Sequence, residues 1–325
     1  MRLLIAHDLS DHANKATDRS LNMPTDRPID VELVSVISPP LAMDTGTLGV
    51  PVDLGPFLRE EVVRTRAAMR EVAQRILDHD RVRSVKIHVP VGPPASEIKN
   101  LADELHCDCI VVGSIGHSAV ERVFLGSVSD GVATGCDRSV LVIRPDQRAA
   151  NAPPFRRIVA SVSDTHEWHA IVDLAKHWKA APGIQWHLVH VMDLFSFYRQ
   201  DLRETESEIW QRQCDRAERS LLDAEGEIRR MGFETRRQRL EADHVGESLL
   251  RYAKKHDVDL IMTGDSHRSM FTRMLLGSTS RYVLRHAPCS VLIARDPHAA
   301  SDTNESADPV AGKQDTKRAD SVTVL

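Results

Sequence analysis

Gly113-Ser114-Ile115-Gly116, followed after nine residues by Gly126-Ser127, is the pattern in this sequence with the clearest chemistry. It stands directly after the apolar run Cys109–Val112 and before a stretch suited to a helix. Glycines at the end of a parallel strand let the backbone come within hydrogen-bond range of an anion. Successive N–H groups then form an anion-binding concavity, and the start of the following helix points further N–H groups at negative charge. Ser127 and Ser129 would add hydroxyl donors, so that two loops could hold a polyphosphate. Rival chemistries lack their residues. There is no G-x-x-x-x-G-K-[ST], no G-x-G-x-x-G, no H-E-x-x-H and no G-x-S-x-G. His7 beside Asp8 could act as a base, but no nucleophile can be paired with it. Cys107-x-Cys109 has no second Cys/His pair at ligand spacing and reads as core.

Such a motif needs an α/β frame, and the chain predicts one. Leu3–Ala6 is a short strand, His7–Ser10 a turn, and a helix follows to about Met23. Val31–Ile37 is a β-branched second strand, ending near Val36. Pro and Gly at 39–56 make a long loop; 57–79 has helical spacing. Val85–Val89 is a third strand, Pro94 opens a helix to about Leu105, and Ser139–Ile143 is a fifth strand. Alternating strands and helices imply a parallel sheet covered on both faces. The order then recurs, with Arg157–Ala160, Ile184–Val191, a long helix at 199–231, Asp259–Thr263 and Ser290–Ala294. Sliding the chain by 151 positions superimposes Gly113 on Gly264, Arg122 on Arg273, and Leu125-Gly126-Ser127 on Leu276-Gly277-Ser278. A repeat of this length is a domain duplication, not a solenoid. The expected fold class is therefore α/β, as two repeated open parallel five-stranded sheets with helices on both faces.

Bulk properties narrow the partners. A net charge of −5 argues against general nucleic-acid binding. Arg229-Arg230 and Arg236-Arg237 are basic but lie among glutamates, and read as a solvated helix face and its exit loop. No apolar run approaches the roughly 20 residues of a membrane span. Five cysteines without framework spacing, and no secretory signal, lead us to expect reduced thiols in a cytoplasmic protein.

Gly113-x-x-Gly116-x9-Gly126-Ser127 resembles the ATP-binding signature of the universal stress protein family. Ile5–Ser10, Leu276–Ser278 and Arg285–Ile293 resemble the opening, final helix and closing strand of that family, so the likeness covers about residues 1–295 in a tandem form. It implies a Rossmann-like sheet of the adenine nucleotide alpha hydrolase kind. It also implies that Asp8 meets the adenine or ribose, that Val36 contacts adenine, that Gly113 and Gly116 line ribose and phosphates, and that Gly126, Ser127, Val128 and Ser129 hold the phosphates. The ligand implied is ATP, with Mg2+ on its phosphates. The second copy departs from the pattern: Val162 is placed over Asp8, His267 stands at Gly116, and Asp265 adds negative charge beside the same loop.

The expected domains are residues 1–145, with an intact nucleotide site, and 155–296, with a degenerate one, before a disordered tail at 297–325. We expect a regulatory or protective stress-response protein that binds ATP rather than a dedicated enzyme. The alternative is a slow ATPase or autophosphorylating protein with Ser127 or Ser129 as acceptor. Single-domain relatives pair through closing strands, so Ser139–Ile143 and Ser290–Ala294 are expected to meet in an internal pseudo-dimer. Further homodimerisation is left open.

Overall fold

Leu3-Leu4-Ile5, Ile110-Val111-Val112 and Val140-Leu141-Val142 are buried throughout, as strands must be when helices cover both faces of a sheet. The computed structural model describes residues 1–25, 27–39, 55–114, 125–145, 155–164, 167–194, 206–265 and 276–296. Its first half runs β1 (Arg2–Ala6), α1 (Asp11–Leu21), β2 (Ile29–Val34), α2 (Gly55–Leu77), β3 (Val82–His88), α3 (Pro94–Glu104), β4 (Cys109–Gly113), α4 (Ser127–Gly135) and β5 (Ser139–Ile143). The second runs β6 (Arg157–Ser161), α5 (Trp168–Ala175), β7 (Gln185–Asp193), α6 (Glu206–Arg230), β8 (Glu234–Ala242), α7 (Val245–Lys255), β9 (Leu260–Gly264), α8 (Ser278–His286) and β10 (Ser290–Ala294).

All ten strands join one open sheet, in the order β3-β2-β1-β4-β5-β10-β9-β6-β7-β8. Every strand pairing is parallel except the central one, where β5 meets β10 antiparallel. There Leu141 faces Leu292, Val142 faces Val291 and Val140 faces Ile293. Leu141 and Leu292 are also counterparts under the 151-residue repeat, so each closing strand meets its own copy about a pseudo-twofold axis through that pair. The expected internal pseudo-dimer is thus a continuous sheet. Side chains repeat the symmetry. Ser139 Oγ accepts from Arg295 N at 3.0 Å, and Ser290 Oγ accepts from Arg144 N at 3.3 Å. Arg144 donates to the carbonyls of Leu284 and Arg285, while Arg295 donates to those of Ala133 and Arg138.

Each face of the sheet carries one core that crosses the seam. Leu21, Met69, Trp168 and Leu221 belong to one, Ile98, Val132, Leu249 and Val283 to the other. A second bridge joins the copies where Thr25 pairs with Trp178 and Lys179 N donates to Pro24 O.

One sequence expectation changes. Arg236-Arg237 lie not in a helix exit loop but on β8, the edge strand; Arg229-Arg230 do close α6. The long helix is described from Glu206, while the tail from 297 lies outside the described residues.

Candidate functional site

The strand order 3-2-1-4-5 reverses direction between β1 and β4. At such a switch point the connections leave in opposite directions, and a crevice opens beyond the carboxyl ends of the strands. Asp8 follows β1, Val36 lies two residues beyond β2, Gly113 ends β4 and Gly126 precedes α4. The structure brings these residues to one edge. Gly116 lies outside the described residues.

The loop after β1 is built from its own polar groups. Asp8 Oδ1 accepts from Ser10 N at 3.1 Å and from Ser10 Oγ at 2.5 Å. Ser10, not Asp8, caps α1: its Oγ accepts from Ala13 N. Between them Leu9 is held at φ 64°, an uncommon conformation for a branched side chain. Such strain persists only where the surroundings impose it, and it collects at ligand clamps.

His7, beside Asp8, is buried. Its Nδ1 accepts from Leu9 N at 3.0 Å, which leaves Nε2–H to donate to Asn14 Oδ1 at 3.1 Å. Burial lowers its pKa, so the ring is held neutral with its lone pair engaged.

On the other side, Ser35 N and Ile37 N donate to His88 O and Pro90 O on the β3 side. Strand alternation therefore turns the N–H and C=O of Val36 toward β1, over the crevice. This backbone could read the edge of a planar base.

The residues expected to hold phosphates lie on α4. Its N-cap is Gly126, which supplies no capping side chain, so the first-turn N–H groups face outward. Ser127 is exposed on that turn. Ser129 differs from expectation: its hydroxyl donates to Gly113 O at 2.5 Å and latches α4 to the end of β4. Gly126 N donates to Ser114 O at 2.8 Å and closes the loop on itself. Val128 is half-buried against the core of that face.

The second copy repeats this frame with changed contents. Ser280 Oγ donates to Gly264 O at 3.0 Å, the counterpart of the Ser129 latch. The register placing Val162 over Asp8 is corrected. His7 N donates to Val34 O and Val162 N to Val189 O. The strands leading to them pair alike, with Ile5 opposite Leu33 and Ala160 opposite Leu188. Val162 is therefore the counterpart of His7, and Ser163 that of Asp8. Asp265 does not burden the loop either, because its carboxylate pairs with Arg295 Nε at 2.8 Å, both side chains almost wholly buried. Crowding comes from elsewhere: a Cβ on Gly264 would collide with the backbone carbonyl of Glu167, so the start of α5 presses on the end of β9. His267 lies outside the described residues.

Sequence reading missed His187 and His190 on β7. His187 is 2% exposed and bonds Tyr252 Oη at 3.0 Å and Gln185 Oε1 at 2.9 Å. Only its place on an otherwise apolar strand could have marked it. The cysteine pair is inert: burial pushes the Cys107 thiol up to about 12 and that of Cys109 higher still. Among the described residues no cluster of three or more His, Cys, Asp or Glu could hold a metal, and no helix is long and apolar enough to cross a membrane.

The model of the universal stress protein family matches residues 1–144 and again 154–295. Universal stress protein YxiE of Bacillus subtilis is 30% identical over 146 residues, 44% of this chain and 98% of its own length. Universal stress protein MJ0531 of Methanocaldococcus jannaschii is 26% identical over 149 residues, 45% of this chain and 84% of its own. Among solved structures, a universal stress protein from Archaeoglobus fulgidus superposes with TM-score 0.61 at 21% identity, covering 90% of this chain and 96% of its own. The functionally unknown protein PA1789 of Pseudomonas aeruginosa superposes with TM-score 0.58 at 15% identity, covering 91% and 92%. These two likenesses extend over both copies and concern the fold.

Proposed function

Because the chain belongs to the universal stress protein family in both of its halves, we propose that it is a cytoplasmic stress-response protein that binds ATP in its first copy and acts by binding rather than by turnover. One observation carries this reading. Asp8, the inward-turned backbone of Val36, Gly113 and the uncapped start of α4 share the carboxyl edge at a single switch point. Base, ribose and phosphates can be met there in the order in which a nucleotide presents them. Mg2+ would ride on the phosphates. The cytoplasm is assigned on five cysteines, four of them buried, with no disulfide among the described residues.

Binding without catalysis is supported by His7, whose lone pair is already engaged. A second reading rests on Ser127, whose exposed hydroxyl sits on the first turn of α4 while that of Ser129 is latched. Slow transfer of a γ-phosphate to Ser127 would then accompany binding. Phosphopeptide mass spectrometry after incubation with ATP decides this: an unmodified Ser127, with no steady phosphate release, removes the second reading.

Calorimetric titration with ATP tests the first. One nucleotide per chain is expected, because the start of α5 crowds the second site. Two equivalent sites would overturn the asymmetry, and no heat of binding would overturn the function.

A further inference from the structure

At the seam, under the carboxyl end of β5, lies a cleft of about 140 Å³ whose walls come from both copies. It is lined by Arg19 and Arg144 of the first and by Lys254, Asp257, Asp259 and Cys289 of the second. It is smaller than the roughly 300–1,000 Å³ of sites for drug-sized ligands.

Its pseudo-twofold counterpart shows what is missing. There Arg295 Nε pairs with Asp265, and Arg138 Nε pairs with Asp103 at 3.1 Å. Both cations are neutralised within the protein. On this side the 151-residue repeat replaces each acid or its partner: Cys289 stands for Arg138 and Lys254 for Asp103 in the lining, and Ser114, on the strand beside Arg144, stands for Asp265. Arg144 is 7% exposed, and its Nε has no hydrogen-bond partner, nor does Ser114 Oγ. Among the described residues no carboxylate pairs with Arg144. Of the two acids in the wall, Asp259 accepts from Arg157 N at 2.7 Å and Asp257 lies 3.8 Å from the Arg157 guanidinium. The wall thus carries three cationic side chains, Arg19, Arg144 and Lys254, against two carboxylates, a net positive lining with Arg144 at its buried end.

We propose that this cleft is a binding site for a small inorganic oxyanion of the phosphate or sulfate class, which supplies at the seam the negative charge that Asp265 supplies on the opposite side. Arg144 is the floor: its Nη2 is spent on the carbonyls of Leu284 and Arg285, and its Nε–H is the donor left without a partner. Lys254, exposed at the rim, adds a mobile charge. The lining shares no residue with the nucleotide crevice, and the site would tie anion supply to the junction between the copies.

Cys289 reports on it, being the one cysteine of the five that is not buried. The experiment is the rate of Cys289 alkylation by iodoacetamide, read by peptide mass spectrometry, with added inorganic phosphate, sulfate, or chloride at matched ionic strength. Phosphate or sulfate is expected to slow labelling saturably, roughly tenfold at about ten times the half-protecting concentration, while chloride does not. Lys254→Met should raise the half-protecting concentration. Ser114→Asp, which gives Arg144 a carboxylate from within, should abolish protection. Arg144→Met should do the same, and should it fail to fold, the other two variants still decide. Lys254 is none of the residues of the nucleotide crevice, so the Lys254→Met effect on Cys289 protection separates this site from anion bound at the start of α4, while ATP calorimetry tests the nucleotide reading on its own readout. Equal rates in all salts, equal protection by chloride, or protection unchanged in Lys254→Met and Ser114→Asp would overturn the proposal.

Discussion

Ser129 and Ser280 show how one hydroxyl can fix the start of a helix against the end of a strand. Each donates to the carbonyl of the glycine that ends the neighbouring strand, Gly113 or Gly264. That bond fixes where the following helix begins, and hence where its N–H groups point. Ser129→Ala should cost about 1 kcal/mol of stability, the usual net value of such a bond. It should also weaken ATP binding, since α4 loses its anchor beside the crevice. Ser280→Ala should cost similar stability and leave ATP affinity unchanged. Thermal melts and titrations of the two variants check this; equal losses of affinity would show that the latch acts only through global stability. The glycine–serine spacing was legible in the sequence because glycines and a helix start follow a strand in one order only. That Ser129 is spent on a carbonyl was not legible, since a hydroxyl's partner depends on how helix and strand dock.

The elements were largely legible where burial dictates composition. Ser139–Ile143 and Ser290–Ala294 are aliphatic because both faces are covered, and they stand where the sequence placed them. Glu234–Ala242 was not read as a strand, because an edge strand carries Arg236, Arg237 and Arg239 rather than an apolar run. The repeat register contained the signal, since β3 lies one repeat earlier. The misplacement of Val162 has a related cause. The copies differ in internal length, so the offset is 151 at Asp108 and Asp259 but 155 at Arg2 and Arg157, where matching N–H to carboxylate bonds fix it.

Two element-level predictions follow from buried charge. Asp265→Ser strips the carboxylate from a guanidinium that is 1% exposed and should destabilise the chain by roughly 3–5 kcal/mol. Chemical denaturation measures it, and a loss below about 1 kcal/mol would mean that water or the neighbouring carbonyls suffice for Arg295. The other concerns β7. Burial, with His256, Arg236 and Arg157 nearby, lowers His187 to about 4. The fold therefore prefers the neutral ring, and below the ordinary value near 6.5 the unfolded chain takes up the proton first. Stability present above pH 6.5 should be lost as pH falls toward 4. The loss should be on the order of 2 kcal/mol, less than the full worth of such a shift because water screens part of it. Depressed pKa values at His7 and His190 act in the same direction. His187→Gln should flatten this slope, and an unchanged slope would place the acid sensitivity elsewhere.

At the scale of the whole molecule, the seam decides whether two copies make one body. The Leu141–Leu292 pair lies on the pseudo-axis, Arg144 and Arg295 cross to the other copy's carbonyls, and both cores run through. The duplication thus protects two apolar closing strands, either of which would be a pairing template if left bare. Residues 1–145 produced alone should therefore not remain monomeric. Strand β5 of one fragment should pair antiparallel with β5 of another, with Leu141 facing Leu141, restoring the ladder that β10 provides. Val142 is fully buried and flanks the axis, so Val142→Asp would set two unpaired carboxylates into that seam and should return the fragment to monomer. Sedimentation equilibrium distinguishes the outcomes. A fragment that stays folded and monomeric at high concentration would show that β5 is blunted by features other than its partner strand, and that the seam holds the copies together without being required by either.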